Sequence, residues 1–218
     1  EQCINCPDVN FHKNTIFLKY ERLVGDPTST IEILQHFLGI DLSGFNPHDE
    51  NADLMQVRSD ENPFHTELYG KAIIRSLHPP QETAIGPAEG ADMALTFRNV
   101  HNWMARGLDQ EFFDAFYANL KPGGILGVVE HRAPDSADRQ FMIDSGYVSE
   151  THVKNIAINA GFEFIASSEI NANSKDTKDH PEGVWTLPPS YRMGDVDRAK
   201  YAEIGESDRM ALKFRKPD

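Results

Sequence analysis

A chain of 218 residues, 39% of them apolar, is long enough to bury a core, which excludes wholesale disorder. Its formal charge is −13, with 6 Lys+Arg against 12 Asp+Glu in residues 1–78 and 15 against 22 in residues 79–218. Neither part carries the basic surface that a phosphate backbone or an anionic membrane demands, so no nucleic acid and no membrane partner is expected, and a small-molecule substrate is the reading that remains.

No apolar run is long enough to span a bilayer. Cys3 and Cys6 form a CxxC near the N-terminus, followed at once by Pro7. A structural metal site needs two more soft ligands, and a redox pair needs a strand before it and a helix after it. The thiols are therefore read as incidental, and no metal is expected. Such sparse cysteine usage fits a reducing compartment, with the cytoplasm as the expected location.

Thr15–Tyr20 reads as a short, mostly buried strand. Asp26 as N-cap and Pro27 at the first helical position start a helix whose apolar face is Ile31, Leu34, Phe37 and Leu38, with Gly39 as its stop. Residues 41–62 are polar and irregular, and Glu67–Ser76 predicts a second short helix weakened by Gly70. The connector 78–90 holds three prolines and two glycines beyond His78, which predicts a boundary between a segment 1–78 and a domain 79–218. From there the pattern alternates between strand and helix. Met93–Phe97 predicts a strand, Asp109–Leu120 a helix with an aromatic stripe, Lys121–Gly124 a turn, and Ile125–Glu130 the next strand. Val148–Ala160 predicts a helix closed by Gly161, and Phe162–Glu169 and Arg209–Arg215 predict two final strands. The excursion between those two, roughly 171–208, is rich in Asp, Lys, Pro and Gly, and its length inside a compact domain marks it as a functional or mobile loop.

The candidate site lies where Met93–Phe97 runs into Arg98, Asn99, His101, Asn102 and Trp103, because side chains at strand ends of α/β sheets leave the core yet stay rigidly placed. His101 suits proton transfer and Trp103 suits a pocket wall. Each has a structural alternative: Arg98 in an ion pair, Asn99 and Asn102 bonded to loop backbone, His101 as a buried hydrogen-bonding group, Trp103 as core packing. Glu130, His131 and Arg132 form a second rim set, with a solvated strand exit as the alternative.

Four blocks in order, ADMALTFRNVHNW (91–103), FFDAFYANLKPGGILGVVEHR (112–132), GYVSETHVKNIAINAGFEFIASSEI (146–170) and DRMALKFRKP (208–217), resemble a family of class I S-adenosylmethionine (SAM)-dependent methyltransferases from its fourth strand onward. The resemblance covers about 79–217. It implies an α/β fold with a partial Rossmann-like methyltransferase sheet, in which strands four to seven are recognisable and the last is antiparallel. It also implies SAM as cofactor and an unknown small methyl acceptor, with Phe97, Arg98 and Asn99 at the cofactor edge and His101, Asn102 and Trp103 on the catalytic, acceptor side.

The front segment departs from that family. Residues 1–78 hold no GxG in a strand–turn–helix setting, and the family's acidic ribose ligand has no counterpart. Instead NTIFLKYERLVGDPTSTIEILQHFLGI (14–40) and NPFHTELYGKAI (62–73) resemble the C-terminal part of a sulfotransferase, without that family's donor site. The sequence is thus read as a sulfotransferase-like strand–helix fragment joined near 76–80 to a methyltransferase-like domain with an incomplete SAM site. The alternatives are a sulfotransferase-related protein or a non-enzymatic binding or assembly module. Thr15–Tyr20 is expected to extend the sheet on its missing side, and an edge left uncovered would invite self-association.

Overall fold

The computed structural model describes residues 15–17, as backbone, and residues 77–218. Contacts divide the chain into two units, residues 1–20 with 77–218, and residues 21–76. The second unit, with the helices expected after Asp26 and over Glu67–Ser76, lies outside the described residues, as do Cys3 and Cys6.

The sheet of the first unit runs β1 (Thr15–Phe17), β2 (Ala91–Phe97), β3 (Leu120–Ala133), β6 (Arg209–Arg215), β5 (Glu163–Ser168) across its width. Beside β3 lies the two-residue β4 (Val148–Ser149). The first three strands of that order are parallel, while β6 is antiparallel to both β3 and β5. This is a mixed α/β sheet, parallel over β1, β2 and β3 and closed by an antiparallel strand, as the sequence reading expected. β1 pairs with β2 in the register Thr15↔Met93, so the strand read from residues 15–20 does extend the sheet beside β2. At the other edge, β5 leaves Phe164 and Ile165 39% and 46% exposed.

Among the described residues, five helices accompany the strands: α1 (Val100–Arg106), α2 (Asp109–Asn119), α3 (Arg139–Ser145), α4 (Glu150–Ala160) and α5 (Arg198–Ile204). α2 buries Phe112, Phe113 and Phe116 from the expected stripe, and α4 buries Val153, Ile156 and Ala157. Both faces arise from apolar residues three and four apart. Ser149 caps α4 by accepting from the His152 N–H, and Gly161 ends it at φ 108°, where a Cβ would be strained.

Two expectations need correction. The turn expected at Lys121–Gly124 is part of β3, where the six residues from Leu120 to Ile125 face the three of β2 from Ala91 to Met93. The turn sequence is accommodated as a bulge inside the ladder. The 171–208 excursion is also more ordered than its composition suggested, holding a 3-10 turn at Gly183–Thr186 and α5.

A buried carboxylate fastens the excursion. Asp176, 3% exposed, accepts from the Tyr147 hydroxyl at 3.0 Å, from His180 Nε2 at 2.9 Å, and from the backbone N–H of Lys178 and Asp208 at 3.0 and 2.8 Å. Burial and the Asp176 charge push the Tyr147 phenol well above its ordinary value, which keeps it a donor. Gly183 makes the closest approach: its φ is 56°, and a Cβ there would fall onto the Ser145 backbone. Gly183→Ala should therefore cost more than about 2 kcal/mol, from backbone strain and overpacking together. A urea unfolding curve indistinguishable from the parent would contradict the tight seating of this turn on α3.

Candidate functional site

β2 leaves the sheet at Phe97 and passes through Arg98, whose φ of 56° is left-handed. A non-glycine residue there costs on the order of 1–2 kcal/mol, which the surroundings must offset. The Arg98 N–H donates to the Val129 carbonyl at 2.7 Å, tying the strand exit to β3. Asn99 is buried and precedes α1, while Phe97 and Arg98 are half-buried.

The helical turn then sorts the cluster. At about 100° per residue, His101 and Trp103 point about 200° apart. Trp103 faces the aromatic stripe of α2, stacked on Phe112 at 4.2 Å between centroids and 5.6 Å from Phe116. His101 faces the end of β3. Asn102, between them, is half-buried.

Glu130 is fully buried and receives three hydrogen bonds: from His101 Nδ1 at 3.0 Å, from the His101 backbone N–H at 3.3 Å and from the His131 N–H at 2.9 Å. Engaging Nδ1 leaves Nε2 as the other ring nitrogen of His101. The His131 ring lies 5.5 Å from the His101 ring, and its Nδ1 hydrogen-bonds the Ser207 hydroxyl. Burial first, and then the neighbouring His101, Arg98 and Arg209, hold the His131 imidazole well below its ordinary pKa. Trp185, from the 3-10 turn of the excursion, sets its edge 5.9 Å from His101 at an interplanar angle of 73°.

Arg132, the third residue of the second rim set, has a different task. Its guanidinium bonds Glu169 and Asp208 in two bidentate pairs and reaches Glu150 at 3.2 Å. Hydrogen bonds to Glu169 and Asp208 raise its already high pKa, so it is a permanent cation. It fastens both ends of the excursion to β3.

Besides the Asp176–His180 pair, a further carboxylate–imidazole pair lies among the helices. Asp109, 4% exposed, accepts from His152 Nε2 at 2.8 Å and from Arg139 at 2.7 Å. Burial opposes its charge, but the bonds from His152 and Arg139 overcome that and hold the carboxyl well below 3.8. This pair joins α2, α3 and α4 rather than lying at the strand ends.

Among the described residues, His101, Glu130 and His131 form one group able to hold a metal ion, with their ligand atoms within 4.8 Å of one another. Sequence reasoning named all three residues without placing them together. Trp185 and Ser207 it did not name, because each arrives from the excursion and carries no local signal. No helix of the described residues is long and apolar enough to cross a membrane.

No protein-family model matches the chain, and no curated protein matches it. Among solved structures, the [4+2]-cyclase SpnF is 20% identical over 60% of this chain and 51% of its own, with a TM-score of 0.39. The Burkholderia thailandensis 1,6-didemethyltoxoflavin-N1-methyltransferase is 12% identical over 62% and 48%, with a TM-score of 0.38. The N-methyltransferase NodS from Bradyrhizobium japonicum is 15% identical over 62% and 56%, with a TM-score of 0.37. The chain spans about half the length of these structures.

Proposed function

We propose that residues 79–218 are a methyltransferase-related small-molecule domain that keeps acceptor-side chemistry and lacks a full grip on SAM. The observation that carries this reading is the sheet order, with antiparallel β6 inserted between β3 and β5 and the Glu130–His101 pair at the carboxyl end of the parallel strands. On this reading His101, oriented by Glu130, accepts a proton from a hydroxyl or amine acceptor through Nε2. Phe97, Arg98 and Asn99 are the cofactor-edge residues, and half-buried Asn102 is an acceptor-side hydrogen-bonding group. Trp103 is left to core packing.

On this reading the SAM site is incomplete at the front of the sheet. β1 occupies the place parallel to and beside β2 from which the family's glycine-rich turn would spring. After β1 the chain reads Leu18-Lys19-Tyr20-Glu21-Arg22, with no glycine before Gly25. The close backbone approach that such a turn gives a cofactor depends on glycine, which the sequence does not supply at those positions. No methyl-transfer step is therefore assigned to this chain, and a non-enzymatic binding role is the second reading that the same residues favour.

Calorimetric titration with S-adenosylhomocysteine tests the proposal. The expected result is no saturable heat below about millimolar ligand, because lost polar contacts of roughly 0.5–1.5 kcal/mol each accumulate. Saturable binding at micromolar ligand would overturn the incomplete-site reading and restore a working cofactor pocket.

A further inference from the structure

We propose that His101, Glu130 and His131 bind a divalent transition metal, with zinc the ion this donor set suits best. Two imidazoles and one carboxylate, with a fourth position left to water, form a ligand set that zinc accepts in open sites. Their donor atoms lie within 4.8 Å of one another, and His101 Nδ1 and Glu130 Oε1 are already 3.0 Å apart. Bonds of about 2.0–2.1 Å around one ion bring tetrahedral ligands to about 3.3 Å, so the widest pair needs to close by roughly 1.5 Å. Side-chain rotation supplies movements of that size.

The surroundings of the three residues suit a ligand set better than a solvated cluster. All are buried, at 3%, 0% and 9% exposure. A fully buried carboxylate calls for a cation or a metal, since desolvating its charge is costly. The backbone N–H groups of His101 and His131 fix both Glu130 oxygens. The Ser207 hydroxyl fixes the His131 ring, which is the outer-shell support that metal-binding imidazoles use. Arg209, nearby, pairs with Glu206 at 2.6 Å. An ion held by His101 Nδ1 and Glu130 would replace the hydrogen bond between them and leave the ring proton on Nε2, so the metal-bound state is distinct from the one in which Nε2 accepts a proton. The three ligands are in place whether or not SAM binds.

The test is titration of the full chain carrying Cys3→Ser and Cys6→Ser with Co²⁺ and then Zn²⁺, without any adenosyl ligand. Removing the CxxC pair eliminates the competing soft ligands. One equivalent of Co²⁺ should give the visible absorption of a four- or five-coordinate ion without a thiolate band, and Zn²⁺ should displace it. His131→Gln and Glu130→Gln should weaken binding at least tenfold, while His152→Gln, outside the group, should leave it unchanged. Circular dichroism separates lost binding from lost folding. If Glu130→Gln does not fold, His131→Gln decides. No cobalt spectrum in the parent, or equal binding by parent and His131→Gln, would sink the proposal.

Discussion

Glu130→Ala should destabilise the protein by about 3–5 kcal/mol, because it removes one partner of a buried hydrogen-bonded pair. The carboxylate is 0% exposed, and its loss leaves the His101 Nδ1–H and the N–H groups of His101 and His131 without their acceptor. Glu130→Gln keeps the shape and one acceptor oxygen, so its loss should be smaller, about 1–3 kcal/mol. Urea unfolding monitored by circular dichroism measures both. An alanine variant within about 1 kcal/mol of the parent would mean that the pair does not hold α1 against β3.

Trp103→Ala should also be costly, about 3–5 kcal/mol, as expected for truncation of a core aromatic. The indole is 6% exposed, stacks on Phe112 and touches the rings of Phe113 and Phe116, so its removal opens a void between α1 and α2. Trp103→Phe should recover most of that stability. Cobalt binding should be unaffected by Trp103→Phe, because the ring packs on the α2 side of α1, away from His101. A Trp103→Ala chain of parental stability but altered ligand binding would instead return the indole to the pocket.

These two variants separate residues that the sequence presents as one cluster. In ADMALTFRNVHNW an apolar strand and the polar group after it are both visible, and so is the strand end where a site belongs. The missing step was α1. Its apolar positions Val100, Trp103 and Met104 have helical spacing, but the helix is seven residues long, Asn99 gives it no side-chain cap, and the polar residues between them read as a strand exit. Once 100–106 is helical, neighbours in sequence become opposites in space. α3 is short as well, although Asp138 caps it by accepting from the Phe141 N–H. Long, strongly periodic elements such as α2 and α4, and the terminal strand Arg209–Arg215, were legible because their faces repeat often enough to override local ambiguity.

The amino-acid sequence by itself determined the alternation of strands and helices after residue 90, the aromatic core of α2, the stop at Gly161 and the absence of a glycine-rich turn in the first 78 residues. Each is a local property, written in periodicity, capping and composition. Only the tertiary structure decided that Glu130 meets His101 and His131, that Arg132 fastens the excursion, and that Trp185 and Ser207 reach the imidazoles. His131 and Ser207 are 76 positions apart, and Glu130 and His101 are 29 apart. Contacts across such separations depend on sheet order and on the path of the 171–208 excursion, and no local pattern encodes either.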